Sequence, residues 1–460
     1  MDLYSDCVQS GASKPAPRRR VAVVGLGTVG LPVALAFARR FPGTLGFDRD
    51  AERVRRLRAG VDPAGQVGAG ELRASSLQLV AEPRALLDAD FFVVAVATRL
   101  TPDRRPDLRD LEEASRVIGA ALRPGAIVVY ESTVVPGTTE EVCGPILERA
   151  SGLRCGADFT LGYSPERVNP GDPEHGLERV VKVVAAQDAR TLDVVARCYE
   201  AVVEAGVHRA PSIRVAETAK LLENAQRDLN IALCNELAQL CTRLGVDTQA
   251  VLDAASTKWN FARHAPGLVG GPCLGLSPHY LAAAARQAGM SPRLFLAGRR
   301  VNDAMAAFVA EKTREELEAA GLALAGARVA VLGLSFKENV ADLRGSRAAD
   351  LVSELCAAGA QVLVHDPLAD RGQAAELHGI ELVAEPGLTA LDAVILAVPH
   401  RGLEALALRL ASAAPSRRVL AGARAGRDEP GARPGVAVLL DLKAAVARAD
   451  VPAGVRYWRL

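Results

Sequence analysis

The sequence predicts an α/β protein built from two Rossmann-like doubly wound lobes joined by a central long-helix domain. Three observations carry that prediction. Val21–Gly30 is a short apolar run entering a G-x-G-x-x-G turn, followed by a helical pattern and a second strand ending in Asp48. The same opening rhythm restarts at Ala327–Lys337 and reaches a second strand ending in Asp366. Between them, residues from about 212 to 245 read as one long helix with few breakers. A chain of 460 residues suits about three domains. The expected boundaries are a disordered lead-in at 1–20, an N-terminal lobe at 21–211, a central helical domain at 212–322 and a C-terminal lobe at 323–460.

In the first lobe, Gly25 and Gly27 allow the tight turn and the close approach of a pyrophosphate, and Gly30 allows close helix–strand packing. The helix behind them offers free N–H groups and a positive dipole end to phosphates. Asp48 would accept hydrogen bonds from the ribose hydroxyls, and its charge repels a 2′-phosphate. The expected cofactor is therefore NAD, with Arg49 next door as the one residue that argues for a phosphate. Phe91–Val96, Ala126–Tyr130 and Phe159–Tyr163 are further buried strands. Thr98, Thr133 and Glu166 follow those strands, at the carboxyl edge where ligands of open α/β sheets bind. Each has an ordinary alternative, a helix cap or a solvated surface charge.

The long helix carries broad apolar coverage, with Glu217, Lys220, Asn224 and Arg227 at three- and four-residue spacing on one face. Two readings stand. The stripe is a solvent face with i,i+4 pairs, or a cation and an amide aimed together to stabilise an oxyanion. A second helical stretch is expected at about 292–320. Between the two lies Gly270–Tyr280, a glycine- and proline-rich loop with one cysteine, Cys273. Two readings stand here as well: a loop cysteine beside flexible backbone that reaches a substrate carbon, or a buried structural thiol, the commoner case for a free cysteine taken alone.

The C-terminal lobe repeats strand–turn–helix without the full glycine fingerprint, so it reads as a nucleotide-type fold lacking its own dinucleotide. Lys337, Asp342 and Arg344 cluster after its first strand, where an anionic ligand would sit. The Arg/Gly/Pro-rich stretch 409–434 reads as including a mobile loop.

Composition excludes several function classes. Apolar residues make up 49 % and the formal net charge is +1, so neither nucleic acid nor an anionic membrane surface is expected as a partner. Eight cysteines occur, none in a C-x-x-C pair. No metal site is expected, and the scattered thiols suit a reducing compartment. The first twenty residues lack the apolar core of a secretory signal, and no apolar run is long enough to span a bilayer. The expected location is the cytoplasm.

These motifs together resemble the UDP-glucose/GDP-mannose dehydrogenase family of nucleotide-sugar 6-dehydrogenases. The stretches that carry the resemblance are GLGTVG, YESTVVPGTTEEVCGPILE, GYSPERVNPGD, AETAKLLENAQRDLNIALCNELA, TKWNF, GGPCLG, AGRRVND, LGLSFKENVADLR and the terminal GVRYWRL. Their detail looks most like the branch that oxidises UDP-N-acetylhexosamines for capsule or O-antigen synthesis.

The resemblance implies a four-electron oxidation at C6 of the sugar, consuming two NAD and one water. It implies Cys273 as the nucleophile that forms a thiohemiacetal and then a thioester. Lys220 and Asn224 would stabilise the oxyanion, and Glu166 with Thr133 would assist the hydrolytic water. NAD would lie on Gly25, Gly27, Gly30 and Asp48, with Thr98 and Thr133 near the nicotinamide. Substrate would meet Glu166, Lys220, Asn224, Gly270, Lys337 and Arg344. A homodimer through the central helix is expected by analogy.

Ser277 departs from the family, which carries an aspartate four residues after the cysteine. Lys220 would thereby lose its carboxylate neighbour. Pro272, Ala97, Arg99 and Ala341 depart as well. Two other functions stay open on this ground: a catalytically impaired nucleotide-sugar-binding protein, and a two-electron dehydrogenase that leaves Cys273 idle.

Overall fold

The structure is a computed structural model that describes residues 17–168, 176–271, 273–412 and 436–460. Most of the expected lead-in therefore lies outside the described residues. So does most of the 409–434 stretch, of which 409–412 end a helix, Leu403–Ser412. Residues 17–20 of the lead-in are described. The Arg20 carbonyl accepts the N–H of Asp90 and Phe91, and the Arg20 N–H donates to the Asp90 carboxylate, so Arg20 already belongs to the first sheet.

The chain forms two compact units, 1–224 with 276–292 and 225–275 with 293–460. The central segment 212–322 is divided between the units, because the two parts of its long helix bury their inward faces in different cores.

The first unit holds an eight-stranded sheet. Its elements are β1 (Val21–Val24), α1 (Gly30–Arg40), β2 (Leu45–Phe47), β3 (Gln78–Val80), β4 (Phe91–Val94), β5 (Ile127–Tyr130), β6 (Thr160–Tyr163), β7 (Lys182–Ala186) and β8 (Val207–Arg209). The spatial order is β8-β7-β6-β5-β4-β1-β2-β3. β1, β4 and β5 are continuous apolar runs buried along their whole length, as expected of strands covered on both faces. Side chains alternate between two cores: Val21 and Val23 enter one, Ala22 and Val24 the other. Strand order reverses between β1 and β4, which opens the ligand crevice at their carboxyl ends.

One pairing in this sheet is antiparallel. β7 returns against β6 with Gly162 opposite Ala186 and Tyr163 opposite Ala185. Continuing that register three residues places Lys182 opposite Glu166, so β7 delivers its first residue to the carboxyl edge. The first unit also holds the start of α2 (Ile213–Leu244) and all of α3 (Ser277–Gln287). Ile213 and Ala216 join the same core as Ala22.

The second unit contains α4 (Arg293–Asp303), α5 (Met305–Ala319), β9 (Arg328–Leu332), α6 (Arg347–Ala357), β10 (Gln361–His365), β11 (Ala393–Leu396), β12 (Val438–Asp441) and β13 (Arg456–Arg459). Its five strands are all parallel in the order β10-β9-β11-β12-β13. The stretch 292–320 is two helices rather than one. The break at Ala304 turns Arg299 and Asn302 toward Asp228, while Met305 and Val309 enter the apolar core. The terminal GVRYWRL becomes the edge strand β13. Arg459 pairs with Asp247 at 3.0 Å, and the Leu460 carbonyl accepts from Gln249 at 2.9 Å.

Candidate active site and family

The G-x-G-x-x-G turn is built by its glycines in three different ways. Gly25 has φ +93°, and a Cβ there would come 2.9 Å from the Ala95 carbonyl oxygen. At Gly30 a Cβ would stand 1.8 Å from the Gly25 carbonyl oxygen, so the first turn of α1 can lie on the loop only without one. At Gly27 a Cβ would meet nothing within 4 Å; the backbone there faces open space. Val29, at the N-cap of α1, supplies no side-chain hydrogen bond to the helix. Open backbone in front of a helix start without a side-chain cap suits a diphosphate.

Asp48, just past β2, accepts the Leu26 N–H at 2.9 Å and the Asp50 N–H at 3.0 Å. Those bonds pin the carboxylate at the turn and leave each oxygen a second lone pair for a ribose hydroxyl. Arg49 points elsewhere: its guanidinium pairs with Asp110 at 2.7 Å. The residue that argued for a 2′-phosphate is thereby engaged with a carboxylate.

At the ends of β4 and β5 the Thr98 hydroxyl donates to the Thr133 carbonyl at 2.7 Å. The structure thus brings these two expected cofactor neighbours together. Beside them stands a cluster the sequence reading missed. Lys182 is fully buried, with its Nζ 2.9 Å from Glu131 Oε2 and 3.1 Å from Glu166 Oε2. Glu166 Oε1 accepts the N–H groups of Arg167 and Val168, each at 2.7 Å. The Tyr199 hydroxyl donates to Glu131 Oε1 at 2.5 Å.

Burial alone would raise the Glu166 carboxyl, but Lys182 and the two N–H groups hold it below its ordinary range. Burial dominates at Glu131 and keeps it above that range despite Lys182 and Tyr199. At Lys182 burial pulls down, and the two carboxylates more than restore the ammonium.

The polar stripe of α2 is not a solvent face. Glu217, Lys220 and Asn224 are all buried, whereas Arg227 is exposed. The buried stripe continues to Asp228 instead, because 217, 220, 224 and 228 keep the helical spacing. Glu217 closes the loop after β5 by accepting the Gly137 and Thr139 N–H groups. The Lys220 Nζ lies 3.9 Å from the Glu223 carboxylate, which also holds Arg167 at 2.9 Å. Lys220 therefore has a carboxylate nearby in spite of Ser277. The Ser277 hydroxyl, fully buried at the start of α3, accepts the Asn224 amide N–H at 3.0 Å. Serine at this position orients Asn224.

In the second unit the Cys273 loop rests on rigid backbone. The Gly271 N–H donates to the Gly345 carbonyl at 3.0 Å. A Cβ at Gly270 would come 2.2 Å from that same oxygen, and one at Gly271 2.6 Å from the Phe336 ring. Close packing on the loop after β9 thus accounts for Gly270. Arg299 braces the other side. Its guanidinium pairs with buried Asp228, donates to the Val269 carbonyl at 3.2 Å and meets Asp303 at 3.0 Å. Asn302 and Asn235 extend the network, and Asn235 bonds Gly267 through both its amide groups.

Cys273 itself is exposed. Cys143 and Cys198, by contrast, are buried, and burial pushes both thiols up to about 12. Arg344 is clamped by Asp342 at 3.0 and 3.1 Å. That carboxylate raises the guanidinium, and Cys273 adds a smaller charge interaction. Lys337 lies in the same loop after β9.

The second lobe repeats the acid-on-turn device and then blocks it. Asp366 accepts the Leu334 N–H at 2.7 Å, as Asp48 accepts that of Leu26. It also takes the Ser335 N–H and hydroxyl and the His400 Nε2. Burial would raise the Asp366 carboxyl, but His400 and these donors hold it well below the usual carboxylate range. With that oxygen saturated from within, no ribose hydroxyl can be read there.

Three family models match the chain in order. That of the NAD binding domain of the UDP-glucose/GDP-mannose dehydrogenase family covers residues 19–203, the central domain 214–304 and the UDP binding domain 330–425. The chain belongs to the UDP-glucose/GDP-mannose dehydrogenase family. It is accordingly an NAD-dependent oxidoreductase, and the turn at Gly25–Gly30 lies in the family's NAD binding domain. Protein CapL of Staphylococcus aureus is 47 % identical over 383 residues, spanning 83 % of this chain and 90 % of that protein. The UDP-N-acetyl-D-glucosamine 6-dehydrogenase of Pseudomonas aeruginosa is 47 % identical over 382 residues, with the same coverage. Among solved structures, the UDP-D-ManNAc dehydrogenase of Pyrococcus horikoshii superposes with a TM-score of 0.81 at 28 % identity. It matches 96 % of this chain and 98 % of that one.

Among the described residues, no group of three or more His, Cys, Asp or Glu side chains is placed to hold a metal ion. No described helix is long and apolar enough to cross a membrane. Of the residues missed from sequence, Lys182 left a faint signal, since the chain has only seven lysines. Arg299 left another in its Asp303 partner at i,i+4. Nothing in the sequence pairs Lys182 with Glu131, 51 residues away.

Proposed function

We propose that this dehydrogenase oxidises C6 of a UDP-N-acetylhexosamine from alcohol to carboxylate, for polysaccharide synthesis of the capsule or O-antigen kind. The observation that carries the reading is Cys273, an exposed thiol on a loop held in place by Gly271, Val269 and Arg299. The Pseudomonas aeruginosa relative at 47 % identity, a UDP-N-acetyl-D-glucosamine 6-dehydrogenase, supports the substrate class.

NAD supplies the hydride acceptor for both oxidations. Loss of the first hydride from C6, with loss of the hydroxyl proton, gives an aldehyde. An aldehyde offers no second C–H oxidation until a nucleophile adds to its carbon. The Cys273 thiolate adds there, and Lys220 and Asn224 stabilise the oxyanion of the resulting thiohemiacetal. Loss of the second hydride leaves a thioester. Water then adds to its carbon, the carbon–sulfur bond breaks, and Glu166 with Thr133 assists the water. Gly25, Gly27, Gly30, Asp48, Thr98 and Thr133 hold the cofactor in this reading, and Lys337 and Arg344 meet the nucleotide sugar. The reading includes a homodimer through α2. It also includes the cytoplasm, where scattered free thiols persist.

NADH formed from limiting sugar tests the reading, over a panel of UDP-N-acetylhexosamines, UDP-glucose and GDP-mannose. Two NADH per sugar are expected, with Cys273→Ser stalling after the aldehyde. One NADH per sugar, unaffected by Cys273→Ala, would instead indicate a two-electron dehydrogenase. Sugar binding without NADH would indicate an impaired binding protein and point to Ser277.

A further inference from the structure

The hydrolytic step needs a carboxylate that is ionised when water arrives yet able to take its proton. Glu166 sits under two opposed influences that meet this need. Its Oε2 faces the Lys182 Nζ at 3.1 Å, and the far side of that ammonium faces Glu131 at 2.9 Å. Lys182 and Glu131 have no exposed side-chain surface, whereas the Glu166 side chain keeps 15 % of its own. Glu166 is thus the member of the triad that meets solvent. Both Glu131 oxygens accept hydrogen bonds, from Lys182 and from the Tyr199 hydroxyl. Both bonds favour the ionised form of Glu131 against the effect of its burial.

Among the described residues, further groups stand around Lys182 and Glu166. The Tyr199 ring lies 5.6 Å from the ammonium, on the helix Ala189–Glu200. Buried Tyr163 ends β6 and feels the Glu131 charge. Beyond Glu166, Arg167 reaches Glu223, which in turn faces Lys220.

We propose that Lys182, buried between Glu131 and Glu166, is a positioning residue for the hydrolytic step, and that with Glu131 it sets the aim and proton affinity of the Glu166 carboxylate. The proposal rests on the function proposed above. In that step the water oxygen bonds to the thioester carbon and the carbon–sulfur bond breaks. The electron pair leaves on the Cys273 sulfur as thiolate, and the water proton passes to Glu166. No oxidation is involved.

The charge balance explains the need for three groups. Two carboxylates and one ammonium carry a net single negative charge before the step. Protonation of Glu166 leaves a neutral Lys182–Glu131 pair, which a buried site favours. Lys182 alone would hold Glu166 ionised too firmly to act as a base. Glu131 alone would keep it protonated. The antiparallel return of β7 supplies the geometry, because its register sets Lys182 opposite Glu166.

The test is a pH titration of the Glu166 carboxyl by carbon-13 NMR on the full chain, its signal identified by loss in Glu166→Gln. Lys182→Met is expected to raise the midpoint by about one pH unit or more, and Glu131→Gln to lower it. The acidic limb of thioester hydrolysis should move with each. A triad that only stabilises the fold would lower the melting temperature of both variants while leaving the Glu166 midpoint in place. An unmoved midpoint, or a shift in the same direction in both variants, overturns the proposal. Should Lys182→Met fail to fold, the downward shift in Glu131→Gln alone decides. The NMR readout needs no turnover, so a wild-type protein that forms no NADH would sink the proposed function and still leave this inference tested.

Discussion

At the scale of single residues, Ser277, one of the positions expected to depart from the family pattern, holds a partner in the structure. Its hydroxyl holds the Asn224 amide at 3.0 Å in a site closed to solvent. Ser277→Ala removes the acceptor and leaves a buried donor, which costs about 1–3 kcal/mol. A lower urea midpoint is expected, together with a lower kcat as Asn224 loses its orientation. Ser277→Asp keeps an acceptor for Asn224 and adds charge near the Lys220–Glu223 pair. Faster turnover in that variant would show the serine to be a handicap. Abolished turnover would show that this chain depends on a neutral hydroxyl there. The positions of Asp48 at a strand end and of Cys273 on a loop were legible in the sequence. The sharing of charge among Glu131, Lys182 and Glu166 was not.

At the scale of elements, the turn between β1 and α1 separates packing from ligand binding. Gly30→Ala places a methyl 1.8 Å from a backbone oxygen that cannot yield. Destabilisation of roughly 1–3 kcal/mol is expected, with NAD binding lost alongside. Gly27→Ala meets nothing within 4 Å, so its melting temperature should stay close to wild type. Its methyl occupies the space a diphosphate needs, so NAD affinity measured by calorimetry should fall at least tenfold, about 1.4 kcal/mol. Equal loss of stability in both variants would contradict this division. The second lobe shows the same element with its acid engaged from within. Gly333, at φ +87°, repeats the turn, but His400 and Ser335 saturate Asp366.

At the scale of the whole molecule, α2 presents an unpartnered apolar row. Leu233, Leu240 and Leu244 are 69 %, 49 % and 64 % exposed, and their spacing puts them on one helix face. The homodimer of the proposed function would bury this row against that of a second copy. Light scattering on the native protein should report twice the chain mass. Leu233→Asp with Leu240→Asp should bring it to a single chain mass. A wild-type monomer would remove the dimer from the proposed function and leave the first unit's chemistry unaffected.

Local patterns determined much of this protein from sequence alone. A strand, a glycine turn, a helix and an acid occur within about 30 residues, so the dinucleotide site and the repeat of its rhythm in the second lobe were readable. So was the long helix, since period and breakers are properties of neighbours in the chain. Other features depend on residues far apart in sequence and could be decided only by tertiary structure. The β6–β7 pairing is antiparallel, and that register alone brings Lys182 to Glu166. The helix face of Glu217, Lys220 and Asn224 was visible, but not that it is buried, because burial depends on what packs against it. The two-unit division has the same cause: apolar contact, and not position along the chain, sets where a core ends.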